Sequence, residues 1–177
     1  MARSQATESG QYLTFALSGE EFALEIAKVR EVLDYPHITK VPRMPEYLRG
    51  VINLRGNVVP VIDLHLKFGM AATERTVDTC VVIVEAALEN EVTVMGVLAD
   101  SVQEVVDLST TEIEPPPRMG TRLNTDFLKG MGKQGEKFII ILDIDKVLSS
   151  SEISLVTGAG EVAAKTGTAA AAEAVAQ

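Results

Sequence analysis

The chain carries one stretch of sequence twice, and this repeat constrains the fold more than any other feature. Residues 47–64 read YLRGVINLRGNVVPVIDL, and residues 127–144 read FLKGMGKQGEKFIIILDI. The matched residues are Leu48, Gly50 and Asp63 with Leu128, Gly130 and Asp143, at one constant offset (128 − 48 = 143 − 63 = 80). The chain therefore has to fold as two similar units.

A second match extends the repeat over most of each half. KVREVLD, from Lys28, matches SVQEVVD, from Ser101, at another constant offset (102 − 29 = 104 − 31 = 73). The halves meet near residues 72–78, and the repeated region covers residues 11–150. We expect residues 1–10, which are small and polar, to be disordered, and residues 151–177 to form an Ala-rich tail with little apolar surface to bury.

Short alternating runs predict β-strands in both halves. QYLTFALS and FALEI predict one hairpin, and residues 50–54 and 57–63 predict a second, with Arg55 exposed at its turn. TCVVIVEAA, from Thr79, is apolar throughout, as in a strand covered on both faces. These patterns indicate a mainly β fold of two small antiparallel barrels, related as pseudo-repeats, with short helices.

Two details of the repeat concern local structure. Asp63 and Asp143 each follow a strand, and each is expected to cap a short helix by accepting backbone N–H groups. The state of AKVREVLDY remains open: Val29, Val32 and Leu33 would share one face of a helix, but the segment is also rich in β-branched residues.

Composition excludes several classes of partner. The formal charge of −9 disfavours binding to nucleic acid or to anionic lipid, and no stretch is long and apolar enough to span a bilayer. Residues 1–11 lack the apolar run of a signal peptide, so we expect a cytoplasmic protein without membrane insertion. The one cysteine, Cys80, lies among apolar residues and is expected to be buried.

The residues that could carry catalysis do not converge. His37 and His65 have no ligand partners at recognised spacing, so no metal site is predicted. GMGKQGEK, from Gly130, lacks the lysine and hydroxyl positions of a phosphate-binding loop and is better explained as a hairpin turn. Asp63 and Asp143 are explained by capping, and the serines at 149–151 have no activating histidine. No catalytic residue, metal or cofactor is expected.

The ordered motifs resemble those of the CheW family of chemotaxis coupling proteins. The similarity runs through FALEIAKVREVLDY, YLRGVINLRGNVVPVIDL, VVIVEA, MGVLADSVQEVVDLS, IEPPP and FLKGMGKQGEKFIIILDIDKVL. The resemblance implies two five-stranded, SH3-like β-barrel subdomains and no catalytic activity. It also implies an adaptor that links the cytoplasmic tips of methyl-accepting receptors, in membrane-anchored arrays, to the regulatory domain of the histidine kinase CheA.

The resemblance also implies a receptor-binding groove between the barrels. Its residues would be Ile26, Val29, Glu31, Val32, Arg55, Cys80, Val81, Gly96, Ala99 and Val102. A role for Cys80 there would require partial exposure, against the burial expected from its apolar neighbours. The resemblance names no kinase-contact residues beyond the outer barrel ends.

Two alternatives stay open from the sequence. The chain could be a CheW-like scaffold of a non-flagellar chemosensory array, or a small-molecule-binding β-barrel module. The second would need a pocket with convergent polar groups, which no motif predicts.

Overall fold

The structure is a computed structural model that describes residues 9–88, 90–115, 127–148 and 152. The strands are β1 (Ser9–Leu17), β2 (Glu20–Glu25), β3 (Val29–Asp34), β4 (Leu48–Leu54), β5 (Asn57–Ile62), β6 (Cys80–Leu88), β7 (Glu91–Ala99), β8 (Ser101–Ser109), β9 (Ile113–Glu114), β10 (Leu128–Gln134) and β11 (Lys137–Leu142). Helical turns are short: α1 (Leu64–Lys67), and 3₁₀ turns at Ile26–Lys28, Thr110–Glu112 and Ile144–Lys146.

The strands form two sheets with equivalent strand order. The first sheet has the order β8-β1-β2-β11-β10-β9, and the second has the order β3-β6-β7-β5-β4. Beyond β4, Thr39 forms a bridge to Val51, just as Glu114 of β9 pairs with Met131. Met131 is the repeat equivalent of Val51 (131 − 51 = 80). Replacing each strand by its repeat partner converts one order into the other, which confirms the mainly β, pseudo-twofold fold class. The expectation of purely antiparallel barrels is wrong, because β2 pairs with β11, and β5 with β7, in parallel.

Each sheet takes strands from both halves of the sequence. β1 and β2 come from the first half but join β8 to β11 of the second half. Conversely, β6 and β7 of the second half lie among β3, β4 and β5. The junction of the repeats near residues 72–78 is therefore a boundary in sequence, not between the sheets.

The structure assigns a state to the segments at the start of the chain. β3 follows a 3₁₀ turn and is a strand, so Val32 and Leu33 point to opposite faces instead of sharing one. β1 begins at Ser9, so residues 9 and 10, which we expected in the disordered N-terminal segment, pair with β8. Residues 1–8 lie outside the described residues.

Two equivalent glycines allow the chain to cross closely over the end of each sheet. Gly50 has φ of +148°, and a Cβ there would lie 2.2 Å from the carbonyl oxygen of Thr39. At Gly130 a Cβ would lie 2.9 Å from the carbonyl oxygen of Glu114. The repeat keeps glycine at both positions because a side chain would collide with the crossing segment.

The buried apolar side chains form three clusters. One lies within the first sheet and includes Val106 and Ile139; another lies within the second sheet and includes Val81 and Ile83. The third and largest takes residues from both sheets and packs between them. β6 contributes to two clusters, since Val81 and Ile83 face the second-sheet core while its alternate residues face the layer between the sheets. This matches the prediction of a strand covered on both faces.

A row of stacked phenylalanines runs through the layer between the sheets. Ring centroids are 6.1 Å apart for Phe15 and Phe22, 6.0 Å for Phe22 and Phe68, and 4.5 Å for Phe68 and Phe127. Phe68 directly follows α1, which continues from the second sheet, whereas Phe15 and Phe22 belong to the first. Phe68 therefore ties the two sheets together.

Phe68→Ala should destabilise the fold by about 2–3 kcal/mol, because it removes two ring contacts and leaves a cavity between the sheets. Phe138 is 49 % exposed and provides the matched control. Phe138→Ala should cost less than about 1 kcal/mol. Urea unfolding of both variants measures the difference, and equal losses would refute a special role for the stack.

One residue of the expected tail makes defined contacts. The side chain of Glu152 is in contact with the ammonium group of Lys67 on α1. Burial, followed by the nearby Glu152 carboxylate, raises the pKa of Tyr47 to about 12. The rest of the tail, residues 151 and 153–177, lies outside the described residues. Glu152 therefore belongs with the folded part of the chain.

A chain ending at Glu152 should be as stable as the full-length chain, whereas Glu152→Ala should lose about 1 kcal/mol. The Lys67 and Glu152 side chains are only 17 % and 20 % exposed, so their pairing is less weakened by solvent than that of a surface pair. Glu136→Ala, in an exposed turn, is the control. Thermal unfolding tests the prediction, which fails if truncation after Glu152 destabilises the protein as much as Glu152→Ala.

Candidate functional site

Arg55 and Glu31 form a two-point ion pair at the edge of the second sheet. Arg55 Nη1 lies 2.7 Å from Glu31 Oε2, and Nη2 lies 3.0 Å from Oε1. Glu31 is on β3 and Arg55 is in the turn after β4, and these strands are at opposite ends of the sheet order. The pair can form only because the sheet curls until its two edges approach, as in a barrel.

The hairpin turn fixes the position of Arg55. Arg55 and Gly56 have φ of 52° and 87°, as in the two-residue turns that join twisted strands. The side-chain oxygen of Asn53 accepts the N–H of Gly56 at 2.8 Å. The Arg55 side chain remains 70 % exposed although both of its terminal nitrogens are engaged. The expectation of an exposed arginine at this turn is confirmed.

The hydrogen bonds from Arg55 are the largest cause of a lowered pKa at Glu31. The charge of Arg55 acts in the same direction, while partial desolvation opposes it. In turn, Glu31 raises the pKa of Arg55. Each member therefore favours the charged form of the other, and this two-point fork holds the exposed guanidinium in one orientation.

Several apolar residues on β3 and near the crossings between the sheets are partly exposed. Val32 is 42 % exposed on β3, and Ile26, Val29 and Val102 are half-buried against the layer between the sheets. These positions are related by the repeat, since Ala99 and Val102 correspond to Ile26 and Val29 (99 − 26 = 102 − 29 = 73). The surface therefore lies where the two repeats meet, with one copy of the same short segment from each half.

Cys80 and Ala99 lie beneath this surface. They are register partners at the start of β6 and the end of β7, and they are 6 % and 0 % exposed. Burial raises the pKa of the Cys80 thiol. The burial expected from the sequence is confirmed, and the partial exposure that a contact role would require is not present.

Val81 and Gly96 face away from the surface. Val81 is fully buried in the second-sheet core, and a Cβ on Gly96 would lie 2.6 Å from its Cγ1 atom. Val81 is thus a core residue of the second sheet, and Gly96 leaves room for it. Of the ten residues predicted from the resemblance, the structure brings six to or near the surface: Ile26, Val29, Glu31, Val32, Arg55 and Val102. Cys80, Val81, Gly96 and Ala99 lie in the interior.

The duplicated aspartates act as caps, as expected. Asp63 accepts the backbone N–H of His65 at 3.0 Å, and Asp143 accepts that of Asp145 at 3.1 Å. Asp63 also accepts Arg49 and both the N–H and the hydroxyl of Thr73, at 2.7–3.3 Å. The sequence did not predict the contact with Thr73, because Thr73 lies in the junction between the two halves and belongs to no motif. A buried carboxylate with every oxygen occupied is a structural group.

A second contact that sequence reasoning missed connects the two sheets. His65 is 6 % exposed, and its Nε2 lies 3.2 Å from Asp100 Oδ1. We had expected an ordinary junction histidine, because no Cys, Asp or Glu lies at a recognised ligand spacing from it. His37, by contrast, is exposed.

The described ranges contain no group of three or more His, Cys, Asp or Glu residues placed to hold a metal. GMGKQGEK forms the β10–β11 hairpin, with its turn between Gln134 and Lys137, as the sequence predicted. The serines at 149–151 lie outside the described residues. Across the described ranges, no helix is long and apolar enough to cross a membrane.

Two curled sheets of equivalent order, packed on a shared apolar layer, define a β protein of two subdomains. A family model described as CheW-like domain matches residues 11–152. The chain belongs to the CheW family, whose members are non-catalytic adaptors of chemotaxis signalling with two SH3-like subdomains. The two sheets correspond to these subdomains, the two-residue β9 adding a sixth strand to the first.

Individual relatives of the chain also carry the name CheW. The chain is 36 % identical over 150 residues to the chemotaxis protein CheW of Klebsiella aerogenes, covering 85 % of this chain and 88 % of that protein. It is 34 % identical over 138 residues to CheW of Helicobacter pylori, covering 78 % and 81 %. The crystal structure of the scaffolding protein TtCheW from Thermoanaerobacter tengcongensis matches with a TM-score of 0.72 and 35 % identity, covering 82 % and 97 %.

Replacing Arg55 by Gln should raise the pKa of Glu31 towards its ordinary value, because the two hydrogen bonds and the positive charge that favour the carboxylate are removed. The lowered pKa in the wild type stabilises the fold above the unfolded-state pKa, and this contribution disappears as pH falls through the folded-state pKa. Carboxyl NMR titration of Glu31 in both proteins measures the shift. An unchanged titration would mean that the ion pair does not persist in solution.

Proposed function

We propose that this chain couples the cytoplasmic tips of methyl-accepting chemotaxis receptors to the regulatory domain of CheA, and that receptors dock on the surface between the sheets. The observation that carries this proposal is the exposed Arg55–Glu31 ion pair at the edge where the second sheet closes, together with the exposed Val32 on the same strand as Glu31. This combination of an apolar surface with an oriented charged pair suits a helix that presents apolar residues and a hydrogen-bond acceptor.

The six accessible residues take different parts in this proposal. Ile26, Val29, Val32 and Val102 supply the apolar area, which gives most of the affinity. Glu31 orients Arg55, whose exposed guanidinium sets the register of the receptor helix. Cys80 and Ala99 support the surface from below, whereas Val81 and Gly96 belong to the core of the second sheet.

The proposed partners also indicate where in the cell the protein works. We propose that the chain works in the cytoplasm, held at receptor arrays by protein contacts and not by insertion into lipid. The net charge of −9 supports this, since an acidic protein has no electrostatic attraction to anionic lipid or to nucleic acid.

Arg55→Glu should weaken binding of a receptor cytoplasmic fragment by at least about thirtyfold, because the variant places two carboxylates together and removes an interface arginine. Affinity for the CheA regulatory domain should stay within about twofold, and the melting temperature within about 3 °C, because the side chain supports no core. Isothermal titration with each partner and thermal unfolding provide the three values.

Lys137→Glu is the matched control. Lys137 is exposed, lies at the equivalent hairpin of the first sheet, and undergoes the same charge reversal. It should leave receptor affinity unchanged. Unchanged receptor affinity in Arg55→Glu would defeat the site assignment, and a collapsed melting temperature would show that Arg55 is structural.

A further inference from the structure

The chain crosses from one sheet to the other at two short connections that frame the proposed docking surface. The first crossing is the 3₁₀ turn Ile26–Lys28, between β2 of the first sheet and β3 of the second. The second is Asp100, between β7 of the second sheet and β8 of the first. The two are repeat equivalents, since Asp100 corresponds to Ala27 (100 − 27 = 73).

Each crossing contacts the capped turn that follows a hairpin. At the first crossing, Lys28 Nζ lies 3.1 and 3.3 Å from the carboxylate oxygens of Asp145. At the second, Asp100 Oδ1 lies 3.2 Å from His65 Nε2. His65 and Asp145 are themselves repeat equivalents (145 − 65 = 80). The two contacts thus occupy similar places in the repeat. They differ in detail, since Lys28 corresponds to Ser101 and not to Asp100, and His65 Nε2 lies near Asp100 without the geometry of a hydrogen bond.

Both contacts reach into the opposite sheet. Asp145 follows β11 of the first sheet and accepts the N–H of Ala87, on β6 of the second, at 2.7 Å. Asp100 accepts the N–H of Ser18, in the β1–β2 turn of the first sheet, at 2.8 Å. His65 lies on α1, which follows β5 of the second sheet. Each contact therefore restrains how one sheet is oriented on the other.

The docking surface depends on that orientation. Ile26 begins the first crossing and Val29 follows it, while Ala99 and Val102 lie on either side of the second, so the surface takes residues from both sheets. A rotation of one sheet against the other would separate Val102 from Val29 without breaking either sheet.

We propose that the His65–Asp100 and Lys28–Asp145 contacts act as paired latches that set the angle between the sheets, and that His65 and Asp100 are positioning residues for receptor docking. This rests on the proposed function, because the ligand of the surface is taken to be the receptor. His65 touches no docked molecule; it acts by holding the crossing beneath Ala99 and Val102 in place.

The decisive variants differ at one side chain. His65→Leu keeps the apolar volume and removes the contact with Asp100, whereas His65→Gln keeps an N–H donor at the end of the side chain. His37→Leu, at the chain's other histidine, is the control. Asp145→Asn tests the second latch, because its amide oxygen still accepts the Ala87 N–H while the charge facing Lys28 is lost.

Two measurements distinguish an effect on the angle between the sheets from an effect on receptor binding. Double electron–electron resonance between spin labels at residues 57 and 137 reports the distance between the sheets in the absence of any partner. Both positions are exposed and are repeat equivalents (137 − 57 = 80). The labels are placed in a Cys80→Ala background, so that the native cysteine is not labelled. Titration with a receptor cytoplasmic fragment reports docking. His65→Leu and Asp145→Asn should shift or broaden the distance distribution and weaken receptor binding at least about fivefold. His65→Gln and His37→Leu should match the parent chain in both.

Each other outcome overturns the proposal at a defined point. An unchanged distance distribution in both latch variants shows that the contacts do not set the angle. A changed distribution with unchanged receptor affinity shows that the angle does not position the surface. If the unmutated chain fails to bind the receptor fragment, the proposed function fails, and the distance measurement still decides whether the latches hold the sheets.

Discussion

Packing of one apolar layer between the two sheets is the interaction on which the rest of the structure depends. Because each sheet combines strands from both halves, neither half can complete its own core. Alternate residues of β6 point to opposite faces of its sheet. Val81 packs in the core of the second sheet, and Val82 packs in the layer between the sheets. The proposed docking surface is the rim of this layer, where Val29 and Val102 reach solvent. The apolar layer that stabilises the fold therefore also holds the residues of the proposed docking surface in place.

The repeat places equivalent segments on both sides of the surface, but the two halves differ at the position of Arg55. Equivalent segments meet at the boundary between the sheets, but the position of Arg55 is taken by Gly135 in the second half (135 − 55 = 80). Glu104, the equivalent of Glu31, consequently has no arginine facing it from that hairpin turn (104 − 31 = 73). A duplicated scaffold therefore carries its charged fork on one side, which gives a docking partner a single orientation.

Much of the architecture could be predicted because the signals were local. Alternation marked the strands, the Arg55–Gly56 pair marked a tight turn, and Asp63 marked a cap. The exchange of strands between sheets could not be predicted, since the offsets of 73 and 80 are the same whether each half folds on itself or pairs with the other.

The site was predicted less completely for a related reason. Val81 and Cys80 are neighbours in one apolar run, and only the pleat of β6 decides which faces the layer between the sheets. Contacts between distant segments, such as His65 with Asp100, leave no pattern in a single sequence.

The exchange of strands also affects how the chain folds during synthesis. The hydroxyl of Thr14 on β1 bonds the carbonyl oxygen and the N–H of Glu104 on β8, 90 residues later in the chain. At about 5–20 residues per second, β1 and β2 leave the ribosome several seconds before the strands beside which they lie. The first hairpin must remain soluble with unpaired edges during that interval, and completing its sheet requires closing a long loop. A two-subdomain chain without exchange could fold one unit at a time, whereas this topology delays the first sheet until β11, which pairs with β2, has emerged.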